Sequence, residues 1–197
     1  HLDALVGLTG VVGVRHNLQD EPDGTARHDA FRAGAAAVAA RGLRFDACVR
    51  AHQLPDVSDL AGAVPALPIV LDHLGKPSVG TAADPLRPDA GWLRDLRALA
   101  AHPRVAVKLS GLPAEAGGLW SPAQVIPFLD AAADAFGSDR LLWGSDWPVS
   151  AITGEACEYR PESRALWAET VVEWAAARGL DADAVLWGNA ARFYGVG

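Results

Sequence analysis

The stretch Pro68–Pro77, PIVLDHLGKP, carries the pattern that decides the fold. A short apolar run of Ile69, Val70 and Leu71 meets two polar residues, Asp72 and His73, and then a turn shaped by Gly75 and Pro77. An unbroken apolar run of this length is what a strand buried on both faces of a parallel sheet requires. The same design recurs on either side, at Val11–Asn17 (VVGVRHN), Arg44–Arg50 (RFDACVR), Val105–Gly111 (VAVKLSG) and Arg140–Asp146 (RLLWGSD).

Longer Ala- and Leu-rich segments separate these runs. Helices are expected near Ala26–Arg41, Pro55–Val64, Pro88–Ala101 and Ser121–Phe136, and after the last strand near Pro161–Arg178 and Ala182–Trp187. Asp89 is placed to cap one helix, and Ser121 followed by Pro122 to open another. Strand and helix alternate without hairpin signals, so the class is α/β, built from repeated βα units. With no linker or low-complexity tract, residues 1–197 read as a single domain.

The polar residues gather where the strands end: Arg15, His16 and Asn17; Arg50 and His52; Asp72 and His73; Lys108 and Ser110; Ser145 and Asp146. In barrels and open α/β sheets, ligands sit at the carboxyl ends of the strands. One shared site is therefore expected, and the chain reads as an enzyme.

Composition narrows the classes. Of 197 residues, 50% are hydrophobic and 21% charged, enough apolar content for a packed core. The net charge of −7 leaves no basic footprint for nucleic acid or for an anionic membrane surface. No apolar run approaches the ~20 residues of a membrane-spanning helix. Cys48 and Cys157 are too few for a disulfide framework and lack C-x-x-C spacing, so a reducing, cytoplasmic setting is the default. Cys48, in an apolar run, is expected to be a small core residue.

Asp146, in WGSDWP, has small neighbours at Gly144 and Ser145 and bulky ones at Trp143, Trp147 and Pro148 that limit water access. A partly desolvated carboxylate suits a general base. His73 can ligate a metal, accept a proton or hydrogen-bond a substrate. Asp72, one residue earlier, is expected to point to the opposite face and to orient a helix or loop. Alternation likewise sends Arg15 and His16 to opposite faces. His52 sits just beyond its strand, and Lys108 could offer positive charge to a carboxylate or developing oxyanion. No G-x-S-x-G elbow, P-loop, G-x-G-x-x-G or H-E-x-x-H motif is present.

The ordered set VGVRHNLQDEPD (Val12–Asp23), VRAHQLPDV (Val49–Val57), VLDHLGKP (Val70–Pro77), VKLSGL (Val107–Leu112), WGSDWPV (Trp143–Val149) and GNAARFY (Gly188–Tyr194) resembles the amidohydrolase-related family. Within it the likeness is greatest to lactonases acting on sugar acids and on aromatic-pathway lactones. The resemblance implies a (β/α)₈ TIM barrel, represented here by about five C-terminal βα units. It implies catalytic roles for Asp146 and His73, and substrate contacts from Arg15, His16, His52, Lys108 and Trp147. Members of this branch work either without metal or with one divalent cation, zinc or manganese; in the second case Asp146 and His73 are the implied ligands.

Family members open with an H-x-H pair on their first strand, and this sequence has none. A closed barrel needs eight units. The chain also begins at His1 and contains no methionine. A C-terminal portion of a longer barrel is therefore expected. The expected activity is hydrolysis of a small lactone, a sugar acid 1,4-lactone or a carboxylated relative, by carboxylate-activated water. A metal-dependent non-oxidative decarboxylase and an inactive truncated remnant are the alternatives. The expected partner is a small-molecule substrate, and a homo-oligomer is compatible with this reading.

Overall fold

The computed structural model describes residues 2–153, 158–160 and 162–196. Cys157 and the expected helix start at Pro161 lie outside the described residues. Five strands form one sheet: β1 (Gly13–Asn17), β2 (Arg44–Cys48), β3 (Ile69–Leu71), β4 (Val105–Leu109) and β5 (Leu141–Trp143). They lie side by side in sequence order, and every pair is parallel. Consecutive parallel strands need a crossover, which the helices supply. These are α2 (Asp29–Ala40), α3 (Leu54–Ala63), α4 (Ala90–Ala100) and α6 (Pro122–Phe136), with α1 (Leu2–Val6) before the sheet and a short α5 (Leu112–Glu115) after β4. Beyond β5 come a small antiparallel pair, β6 (Ile152–Thr153) and β7 (Glu158–Tyr159), then α7 (Ser163–Ala177) and α8 (Asn189–Tyr194). The chain is thus α/β, with five consecutive parallel units arranged as in part of a (β/α)₈ barrel. No described helix is long and apolar enough to cross a membrane.

Two apolar layers result from strand alternation. On one face Phe45, Ala47, Ile69, Leu71, Val105, Val107, Leu109 and Leu141 pack beneath the helices in the main core. On the other, Val70, Ala106 and Leu142 meet Ala190, Phe193 and Tyr194 of α8. The register runs Arg15↔Asp46↔Val70↔Ala106 across four strands, and Lys108↔Leu142 two residues further along β4. Arg15, Asp46 and Lys108 therefore share the face that α8 covers from below.

Burial is uneven across the sheet. Every residue of β3 is buried, whereas no residue of β1 is. Among the described residues β1 pairs only with β2, and β5 only with β4.

Both helix starts fall where their sequence signals put them, and one of the two carries a side-chain cap. Asp89 caps α4, its Oδ1 accepting from the backbone of Gly91 at 2.7 Å and Trp92 at 3.1 Å. Pro122 opens α6 as expected, but the Ser121 side chain makes no capping hydrogen bond.

Candidate active site

The site is built at the carboxyl ends of β3, β4 and β5. His73 follows β3 in a tight turn, with φ 54° at His73 and 53° at Leu74. This left-handed backbone breaks the two-residue alternation of the strand. Asp72 and His73 consequently both turn to the lumen side, which corrects the expectation that Asp72 points away. Asp146 adopts a similar conformation, φ 51°, after β5. Left-handed backbone is uncommon for residues with a side chain and gathers at functional positions.

These two turns bring His73 Nε2 within 3.6 Å of Asp146 Oδ1. The two side chains are 8% and 13% exposed, so the pair is largely removed from water. Each is held from behind. His73 Nδ1 lies 2.9 Å from Ser110 Oγ, and the Ser150 hydroxyl donates to Asp146 Oδ2 at 2.8 Å. Arg15 Nη2 approaches His73 Nε2 at 3.4 Å. A guanidinium has only donors and a carboxylate only acceptors, so Arg15 favours a bare Nε2 on the His73 ring and Asp146 a protonated one. Gly111 makes the approach possible: a β-carbon there would stand 2.5 Å from that of His73.

Behind this pair lies a charged network. Asp72, 1% exposed, stands 3.2 Å from Arg15 Nε and 2.9 Å from Lys108 Nζ. Neither of its oxygens accepts an aligned hydrogen bond among the described residues. Lys108 also donates to Asp46 Oδ2 at 2.5 Å, and the Tyr194 hydroxyl donates to the same carboxylate at 2.8 Å. Three cross-strand neighbours and the last helix are thereby tied together.

Burial and charge act against each other on these groups. Burial pushes the His73 imidazole below its ordinary value, against the opposing pull of Asp146 and Asp72. Burial alone would lower Lys108 too, but Asp72 and Asp46 outweigh it and hold the ammonium well above its ordinary range. Burial raises the Tyr194 phenol, and Asp46 adds to the rise while Lys108 opposes it.

The other sequence candidates fall elsewhere. His16 faces away from Arg15, 3.3 Å from Glu21 and edge-on to Phe31. His52 lies 3.2 Å from Asp23 in an exposed turn. Trp147 is exposed on the loop beyond Asp146, its backbone N–H directed to Ser145 Oγ at 3.3 Å. The structure brings together Asp146, His73, Arg15 and Lys108, but not His16 or His52.

Four further residues belong to the site: Asp46, Tyr194, Ser150 and Glu115. Half-buried on α5, Glu115 faces Lys76, Arg50 and Asp146; burial raises its carboxyl, and the two cations oppose that rise. Asp46 was detectable as a lone acid inside the apolar run RFDAC. For the others the sequence carries no signal, because their partners are distant in the chain or set by loop geometry.

Comparison with known proteins agrees with this architecture. The chain is 39% identical over 186 residues to an L-fucono-1,5-lactonase of Burkholderia ambifaria, covering 92% of this chain and 60% of that protein. It is 40% identical over 195 residues to an L-fucono-1,5-lactonase of Burkholderia multivorans, covering 94% and 63%. The chain thus spans about three-fifths of the length of these curated relatives. A crystal structure of an amidohydrolase from Burkholderia multivorans with bound zinc superposes with a TM-score of 0.83 at 36% identity, covering 100% of this chain and 69% of that one. The family model described as amidohydrolase matches residues 1–196. By that match and by these relatives, the chain belongs to the amidohydrolase family.

Proposed function

We propose that this protein hydrolyses a small sugar-acid lactone, with Asp146 as the general base. One observation carries the reading: the Asp146–His73 pair, 3.6 Å apart and largely buried across the carboxyl ends of β3 and β5, with β4 between them. The lactonase relatives support the substrate class, and because they are named for 1,5-lactones the proposal takes that ring size in place of the 1,4-lactone. The chain's five units are taken as five of the eight in a barrel of this family.

The residues divide the work as follows. The Ser150 hydroxyl engages Asp146 Oδ2, which leaves Oδ1 turned toward His73 and the lumen. A water held there gives a proton to Asp146 as its oxygen bonds to the lactone carbonyl carbon. The ring carbon–oxygen bond then breaks, and the same proton passes to the departing alkoxide. Arg15, beside His73, supplies positive charge to the carbonyl oxygen as it becomes anionic. Lys108 acts at one remove, fixing Asp72 and Asp46 beneath.

The zinc of the Burkholderia multivorans relative raises the question of a metal here. Bonds of about 2.1 Å at a tetrahedral angle put two donors roughly 3.4 Å apart. His73 Nε2 and Asp146 Oδ1, at 3.6 Å, fit as two ligands of one such ion. A bound divalent ion would supply Lewis acidity at the carbonyl.

The test is ring opening of L-fucono-1,5-lactone followed by acid release, comparing the protein with Asp146→Asn. Loss of the base should lower kcat by ~10²–10⁴-fold. A kcat within a few-fold of the unsubstituted protein would remove Asp146 from this role.

A further inference from the structure

On the side of His73 away from Ser110, three buried donors of different chemistry converge. Cys48 ends β2, Asp72 follows β3, and His73 comes next; one ligating atom from each lies within 4.8 Å of the other two. We propose that Cys48, Asp72 and His73 form a binding site for a thiophilic divalent cation of the zinc and cadmium type, and that Arg15 competes for the same donors. The site shares His73 with the pairing to Asp146 discussed above but draws its other donors from Cys48 and Asp72, and its test does not depend on lactone hydrolysis.

Three observations carry it. The donor set, a sulfur, a carboxylate oxygen and an imidazole nitrogen, is the mixture that borderline-soft ions prefer. Asp72 is 1% exposed, and neither of its oxygens accepts an aligned hydrogen bond among the described residues, so a desolvated negative charge points into the cluster. The third observation is Arg15, whose guanidinium touches two of the three donors. Its Nε stands 3.2 Å from Asp72 Oδ2 and its Nη2 stands 3.4 Å from His73 Nε2. An organic cation already rests between the carboxylate and the imidazole.

The surroundings permit the exchange. Arg15 is 49% exposed on the outer strand β1, so its side chain can swing out without disturbing the core. Lys108 stays on Asp72 and Asp46, so some positive charge remains against the carboxylate. The Cys48 thiol gives up a long contact to Gln19 Oε1, 3.4 Å. Ser110 fixes the His73 ring through Nδ1, the kind of outer contact that orients a ligating imidazole. Donor spacings around one tetrahedral ion are roughly 3.3–3.6 Å, so the side chains must close by about an ångström. Binding releases one proton, the thiol's, as the sulfur–metal bond forms, and affinity therefore rises with pH.

The experiment is a titration of the purified chain with cadmium, read by the ultraviolet sulfur-to-metal charge-transfer band. The sequence holds two cysteines, Cys48 and Cys157, so each is replaced by serine in turn. One equivalent of the band is expected in the unsubstituted protein and in Cys157→Ser, with loss in Cys48→Ser. Arg15→Gln should bind cadmium at least ~10-fold more tightly, the range that neighbouring-residue changes produce in metal sites. Absence of the band in the unsubstituted protein overturns the proposal, as does its survival in Cys48→Ser. If Cys48→Ser fails to fold, loss of the band in Cys157→Ser or unchanged affinity in Arg15→Gln overturns it instead.

Discussion

The His73 imidazole is the residue at which burial, backbone and charge meet. Burial depresses its proton affinity, although Asp146 and Asp72 pull the other way. In the folded state the ring stays neutral to a lower pH than in the unfolded chain, where it titrates near 6.5. The unfolded state therefore binds the proton first as pH falls, and folding stability drops below about pH 6.5 until the folded value is reached. Above that window the contribution is fully present. Melting temperatures measured between pH 5 and pH 7.5 should rise with pH, and His73→Gln should flatten the slope. An unchanged slope in His73→Gln would assign the acid sensitivity to other groups.

At the level of elements, the turn after β3 is supported from the helix layer. Trp92 of α4 donates from Nε1 to the Leu74 carbonyl at 3.0 Å, so the start of α4 is tied to the turn that carries His73. The Asp89 cap holds that start in place. Asp89→Ala should cost about 1 kcal/mol, the usual worth of an N-cap, and lower Tm by roughly 2–4 °C. Thermal denaturation of the two proteins checks this, and an unchanged Tm would show the cap to be dispensable. The elements themselves were legible: runs such as PIVL and RLLW have no face for solvent and no length for a helix, and each became a strand. The cap at Asp89 was legible for the same local reason. The left-handed backbone at His73 and Leu74 was not, because the residues packed on that turn, Leu54 against Gly75, Gly111 against His73 and Trp92 against the Leu74 carbonyl, are distant in sequence. Asp146 and His73 were found because they stand at strand ends. Ser150, Glu115 and Tyr194 escaped because nothing local marks them.

Across the whole molecule, the last helix closes the face of the sheet that the crossover helices leave open. Phe193 and Tyr194 pack under Val70, Ala106 and Leu142, and Asn189 anchors α8 through the Ser138 and Leu141 carbonyls, each at 2.8 Å. The Tyr194 hydroxyl then reaches Asp46, 148 residues earlier, and shares that carboxylate with Lys108. Chain end, second strand and fourth strand thus meet at one half-buried carboxylate. Burial raises the Tyr194 phenol above its ordinary 10.0, and Lys108 is raised above 10.5 by Asp72 and Asp46 despite burial. Both groups keep their protons longer in the folded state, so their stabilisation is complete below about pH 10 and is lost as pH climbs toward the folded values. Tyr194→Phe keeps the ring and its packing but removes the hydrogen bond to a charged acceptor, a loss of about 1.5–3 kcal/mol at neutral pH. It also removes one of the two alkaline-sensitive groups. Chemical denaturation at pH 7 and pH 10.5 should therefore show the variant weaker at pH 7, with a smaller fall between the two pH values than the unsubstituted protein. Equal falls in the two proteins would mean that the phenol plays no part in holding α8 to the sheet.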